Sequence, residues 1–201
     1  MKTISTPNRI LLLLTILMAA YQIAVGIDGL DRIAVTCYTI SFGVLLVACL
    51  LLIIFGYEIL QSSLVVIVST IIPLTLSLGL IWEYWQPIRT LYLVFSILGF
   101  FAVVISRRFF PDSVAVILLA LVHGVSGMVI FLLPILLTMN GETNPGFALI
   151  GIGGALIGIG GLLLSFLRTG RPILSRDTIL SIFPALLLLM TTAFILGFLL
   201  R

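Results

Sequence analysis

The chain has 201 residues, 62% of them hydrophobic, and carries only ten Lys and Arg and seven Asp and Glu, for a formal charge of +3. Soluble domains hold about a quarter charged residues, so this composition cannot cover a water-facing globule. No block of five basic residues occurs, and the basic clusters lie between apolar stretches, which excludes a nucleic-acid partner.

The apolar residues fall in stretches of roughly 17 to 25, and about 20 are enough to cross the roughly 30 Å hydrocarbon layer of a bilayer. Strands of a membrane barrel would instead alternate apolar and polar residues, and the runs Leu11–Leu14 and Leu186–Leu189 do not. The expected fold class is therefore all-α: a polytopic transmembrane helical bundle of about seven spans forming a single membrane domain over 1–201, with the lipid bilayer as its first partner.

The first span is expected at 10–27, after Lys2 and Arg9. The triplet Ala24, Val25 and Gly26 resembles a signal-peptidase site. The apolar stretch exceeds the usual 7 to 15 residues of a signal core, however, and further spans follow, so an uncleaved span is expected. The second span, 33–55, contains both cysteines. Cys37 and Cys49 are twelve residues apart on one helix, hence about 18 Å at 1.5 Å per residue, too far for a disulfide. Neither has a CxxC partner or a neighbouring His, so the expectation is two small packed side chains.

The third span, 64–82, follows so short a link that it must form an antiparallel hairpin with the second. Beyond it come Trp82, Glu83, Tyr84 and Trp85, then Tyr92. Amphipathic rings favour the headgroup region, so an interfacial belt is the plain account and an aromatic ligand site the sharper one. The fourth span, 88–106, ends at Arg107-Arg108-Phe109-Phe110. These arginines and Arg168, Arg171 and Arg176 serve as topology determinants or as contacts for anionic lipid.

His123, the single histidine, lies in the fifth span, 114–138, with Gly124, Ser126 and Gly127 beside it. Ionisable groups deep in a membrane are functional candidates by default. His123 and Ser126 are thus named as a possible ligand or proton contact, against the plainer account of an interhelical hydrogen bond. A haem held by two histidines is excluded within this chain, and the surrounding helix offers no carboxylate or thiolate for a metal.

The sixth span, 147–167, carries a near-repeat: Gly151-Ile-Gly-Gly-Ala-Leu-Ile157, then Gly158-Ile-Gly-Gly-Leu-Leu-Leu164. Gly151, Gly154, Gly158 and Gly161 line one helical stripe on which another backbone can approach closely, within the chain, in a second copy or in another membrane subunit. A dinucleotide-binding GxGxxG fails, because Leu156 and Leu163 stand where the last glycine would be, inside an apolar helix.

The seventh span, 178–200, has no lysine for a retinal Schiff base. Pro73, Pro134 and Pro184 interrupt the third, fifth and seventh spans and imply kinks. Ser62 and Ser63, Asp112 and Ser113, and Ser175 and Asp177 stand where helix-capping side chains are expected.

Every carboxylate lies at a predicted loop or span end, which argues against proton- or sodium-coupled transport. No paired aspartates, HExxH or Ser/Cys–His–third-group arrangement is present, so no catalytic residue, metal ligand or cofactor site is named. Summing alternate loops places Lys2, Arg9, Arg107, Arg108, Arg168, Arg171 and Arg176 on the N-terminal side and Arg32, Arg89 and Arg201 on the other. Basic residues stay cytoplasmic, which predicts an inner N-terminus and an outer C-terminus in the cell membrane. The expected function is a non-catalytic accessory or structural subunit of a membrane complex. The alternatives are a small transporter or channel for a neutral or lipophilic solute, and an intramembrane enzyme centred on His123.

Overall fold

The computed structural model describes residues 4–168 and 174–201. Its helices begin and end where local chemistry provides a start or a stop. Helix α1 (Thr6–Val25) opens with Pro7 in its first turn, where a missing N–H costs nothing, and stops at Gly26, whose φ of 72° few other residues tolerate. The Gly26 amide donates to the Gln22 carbonyl at 2.9 Å, and the buried Gln22 side chain donates to the Gly26 carbonyl at 2.8 Å. Helix α2 (Arg32–Phe55) is capped by Asp31, which accepts from the Ile33 amide at 2.7 Å. It ends at Gly56 and leads into a 3-10 turn over Gly56–Gln61.

The third apolar stretch is divided in two, as α3 (Ser63–Ser69) and α4 (Ile71–Tyr84). Pro73 is the cause: it has no N–H to give the Ser69 carbonyl. Around the break the Thr70 amide is shared between the Val66 and Ile67 carbonyls at 3.2 and 3.1 Å, and the Leu74 bond to Thr70 stretches to 3.4 Å. Pro134 and Pro184 leave their helices continuous.

Helix α5 (Arg89–Phe109) follows a 3-10 turn over Gln86–Ile88. Helices α6 (Asp112–Met139), α7 (Ala148–Arg168) and α8 (Arg176–Leu199) complete the chain. Of the three expected caps only Ser175 acts as one, accepting from the Thr178 amide at 3.1 Å. Ser62 and the start of α6 make no side-chain cap.

The fold is all-α, with no strand among the described residues. Packing contacts close a ring in the order α1, α2, α4, α6, α7, α8 and back to α1, with α5 lying outside against α4 and α6. The ring is filled. Tyr38 and Phe42 from α2, Leu76 and Leu80 from α4, Ile130 from α6, Ile150 from α7, and Met190, Phe194 and Phe198 from α8 form one buried cluster. The outside is also apolar: Leu17, Ile54, Leu91, Leu98 and Ile117 are each more than half exposed. Water would penalise that surface at about 25 cal/mol per Å², whereas lipid does not. Among the described residues, six helical segments are long and apolar enough to cross a membrane: Thr6–Val25, Arg32–Leu60, Ser63–Tyr84, Gln86–Phe109, Asp112–Met139 and Arg176–Leu199. A shorter apolar helical stretch covers Pro145–Gly161.

The two ends of the bundle differ. At one, Asn8 donates to the Tyr57 hydroxyl at 3.1 Å. At the other, the turns after α1 and α6 meet the end of α8, and the turn after α1 also meets the end of α4: Asp31 N–H donates to Glu83 at 2.8 Å, Arg201 donates to the Asp28 carbonyl, and Asn144 donates to the Arg201 carbonyl at 2.9 Å.

Candidate functional site

Hydroxyls, most of them buried, collect along two seams, one inside the ring and one between the ring and α5. Between α2 and α4, Ser41 Oγ lies 2.6 Å from Thr75 Oγ1, and both also reach carbonyls of their own helices, Cys37 at 3.0 Å and Ile71 at 2.8 Å. Between α4 and α5, the Tyr92 hydroxyl donates to Ser77 Oγ at 2.9 Å, which donates in turn to the Pro73 carbonyl at 2.6 Å. Other buried hydroxyls return to their own helix, as Thr15 does to Leu11 and Thr191 to Leu187. Such bonds satisfy donors that lipid or packed side chains cannot. Cys37 and Cys49 are free and buried.

His123 and Ser126 do not come together. His123 Nδ1 lies 3.1 Å from the Leu119 carbonyl, one turn back on α6. A carbonyl only accepts, so Nδ1 carries the proton and Nε2 is left as an acceptor. Ser126 is fully buried and turned towards the α4–α5 seam, beside the Tyr92 hydroxyl but outside hydrogen-bonding geometry. A serine with no base beside it is not an activated nucleophile. Among the described residues, no three His, Cys, Asp or Glu side chains gather to hold a metal.

The glycine stripe of α7 divides into two halves. A Cβ at Gly151 would stand 2.6 Å from the Phe131 carbonyl oxygen, and one at Gly154 would stand 2.9 Å from Ile130 Cγ2 and 3.2 Å from the α6 backbone. These two glycines therefore set the close approach of α6 and α7. A Cβ at Gly158 or Gly161 meets nothing within 4 Å, and the same holds for Gly124 and Gly127 on α6. Two further glycines outside that stripe let α8 approach: Gly153, against Phe194 and the Met190 carbonyl, and Gly197, against Ile150.

A cavity opens at the end of the bundle that holds Arg201. It is an open crevice of about 390 Å³ lined by Tyr84, Gly141, Glu142, Thr143, Asn144 and Arg201. Its walls are tied down. The Tyr84 ring packs against Phe147 with centroids 4.8 Å apart, Glu142 accepts from Asn140 Nδ2 at 3.2 Å, and Arg201 Nη1 donates to the Phe198 carbonyl at 2.8 Å. Nearby, Arg89 sits 5.3 Å from the ring centroid of Trp82. Tyr84 belongs to the aromatic cluster expected at the interface and Arg201 to the arginines that set topology, but the sequence gives no sign that the two share a crevice with Glu142, Thr143 and Asn144. The polar run from Asn140 to Asn144 marks a turn there, but nothing in it points to Arg201, 57 positions beyond Asn144.

No protein-family model, curated protein or solved structure matches the chain.

Proposed function

We propose that the chain is a seven-span protein of the cell membrane, N-terminus cytoplasmic and C-terminus outside, that works as a non-catalytic subunit packed against another membrane protein. Its partner packs along the outer side of α6 and α7. The observation that carries this reading is the division of the glycines: Gly151 and Gly154 are filled by α6, whereas Gly124, Gly127 and Gly158 present bare backbone. In lipid, helices associate by close backbone packing and dispersion, and glycine surfaces are where a second helix gains most. Support for seven crossings comes from the length of α7, 21 residues, or about 31 Å at 1.5 Å per residue. The placement of Asn8 and Arg201 at opposite ends also favours an odd number of crossings.

A conduit for solutes gains no support from the ring, whose centre is occupied by Tyr38, Leu80, Phe194 and Phe198. An enzyme centred on His123 gains none either, since the imidazole engages its own helix.

The test is purification in a mild detergent followed by mass spectrometry of the intact particle. A membrane protein should co-purify in fixed ratio and be lost from the Gly158→Leu variant. A monodisperse particle of this chain alone, in detergent and in nanodiscs made directly from membranes, sinks the reading.

A further inference from the structure

We propose that the crevice between Tyr84, Glu142, Asn144 and Arg201 binds a zwitterionic group, a primary ammonium a few atoms from a phosphate or carboxylate. Its volume of about 390 Å³ falls within the roughly 300–1,000 Å³ of ligand pockets, and its two opposite charges come from different parts of the chain. Arg201 stands at the end of α8, Glu142 in the turn after α6.

Arg201 is fixed before any ligand arrives. Its guanidinium donates to the carbonyls of Phe198 and Asp28, and its own carbonyl accepts from Asn144. A guanidinium has five N–H donors, so these two bonds leave others for an anion, already oriented. Glu142 uses Oε1 for Asn140 Nδ2, and its other oxygen is an acceptor suited to an ammonium. A bare anion fits less well. This end of the bundle carries Asp28, Asp31, Glu83 and Glu142 against Arg32, Arg89 and Arg201, so the local field does not favour negative charge alone.

Trp82 and Trp85 at the same end are side chains that favour the bilayer boundary, which places the crevice at headgroup depth. The zwitterion is then either a phospholipid headgroup or a free small molecule of the same chemistry.

Two probes separate these sources. The full chain in mild detergent is given phosphatidylethanolamine or phosphatidylglycerol of equal chain length, and retained lipid is read by native mass spectrometry. Separately, melting is followed with glycerophosphoethanolamine and with glycerol 3-phosphate. A headgroup site retains phosphatidylethanolamine over phosphatidylglycerol by roughly tenfold, the worth of one charge-assisted hydrogen bond. A site for a free zwitterion shows a melting shift with glycerophosphoethanolamine and none with glycerol 3-phosphate. Glu142→Gln, at an exposed turn position that leaves the core untouched, should abolish the preference, and Arg201→Gln should weaken every ligand. If Arg201→Gln fails to fold, Glu142→Gln decides alone. Equal retention of both lipids with no selective melting shift overturns the proposal, as does a preference that survives Glu142→Gln.

Discussion

Tyr38 on α2 fills the space over Gly79 on α4, so that a Cβ at Gly79 would stand 2.5 Å from Cε1 and 2.9 Å from Cζ of the ring. Phe198 of α8 closes the other side, with ring centroids 4.5 Å apart. The ring is locked between two helices and cannot swing away. Gly79→Ala should therefore destabilise the bundle by about 1–3 kcal/mol, the usual cost of overpacking a filled core. Unfolding by titration with a denaturing detergent measures it. An unchanged midpoint would mean that Tyr38 has room the geometry denies.

The Tyr38 hydroxyl itself contributes differently. It is buried and finds no partner, and leaving a buried polar group unsatisfied costs about 1–3 kcal/mol. Tyr38→Phe keeps the ring contacts with Gly79 and Phe198 and removes that penalty. The expected result is equal or greater stability in the same titration. A clear loss would reveal a partner for the hydroxyl.

The two halves of the α7 stripe predict opposite phenotypes. Gly154→Ala presses on Ile130 and on α6 backbone at 3.2 Å, which cannot yield as a side-chain tip can, and should lower the melting temperature of the isolated chain. Gly158→Ala meets nothing within 4 Å and should leave that temperature unchanged or slightly raised, since Ala favours helix over Gly by about 1 kcal/mol. Equal losses from the two variants would show that α6 and α7 stay in close contact along their whole length.

His123→Leu should accumulate in the membrane at the level of the parent chain. The ring bonds only its own helix, and side-chain hydrogen bonds between membrane helices average about 0.6 kcal/mol even where they do cross. Pulse–chase measurement of protein half-life checks this. Rapid degradation of the variant would place His123 among the structural contacts of the bundle.

Topology is tested by a reporter active only outside the cytoplasm. Fused after Arg201 it should be active, and fused within the turn between α5 and α6 it should be silent, because Arg107 and Arg108 flank that turn and basic residues remain cytoplasmic. Activity at both sites or at neither, on stably inserted protein, refutes the seven-span orientation.

The helical class was legible in the residues because it depends on local quantities: the length of apolar runs, and the Gly and Pro residues that punctuate them. Gly26 and Gly56 end helices for reasons confined to their own φ angles of 72°. The division of the third apolar stretch also has a local cause, in Pro73, although whether a proline breaks a helix or merely sits in it depends on neighbours, as Pro134 and Pro184 demonstrate. Helical spacing put Gly151, Gly154, Gly158 and Gly161 on one stripe. It could not say which of them faces α6 closely, because that depends on where two helices converge and where they part. His123 and Ser126, adjacent in the sequence pattern, turn to different surroundings for the same reason. The junction of Arg201 with Asp28 and Asn144 depends on the order of helices around the ring, set by packing between segments far apart in the chain. Periodicity in one segment carries no information about that order, so the crevice and the Tyr38–Gly79 contact belong to the tertiary structure alone.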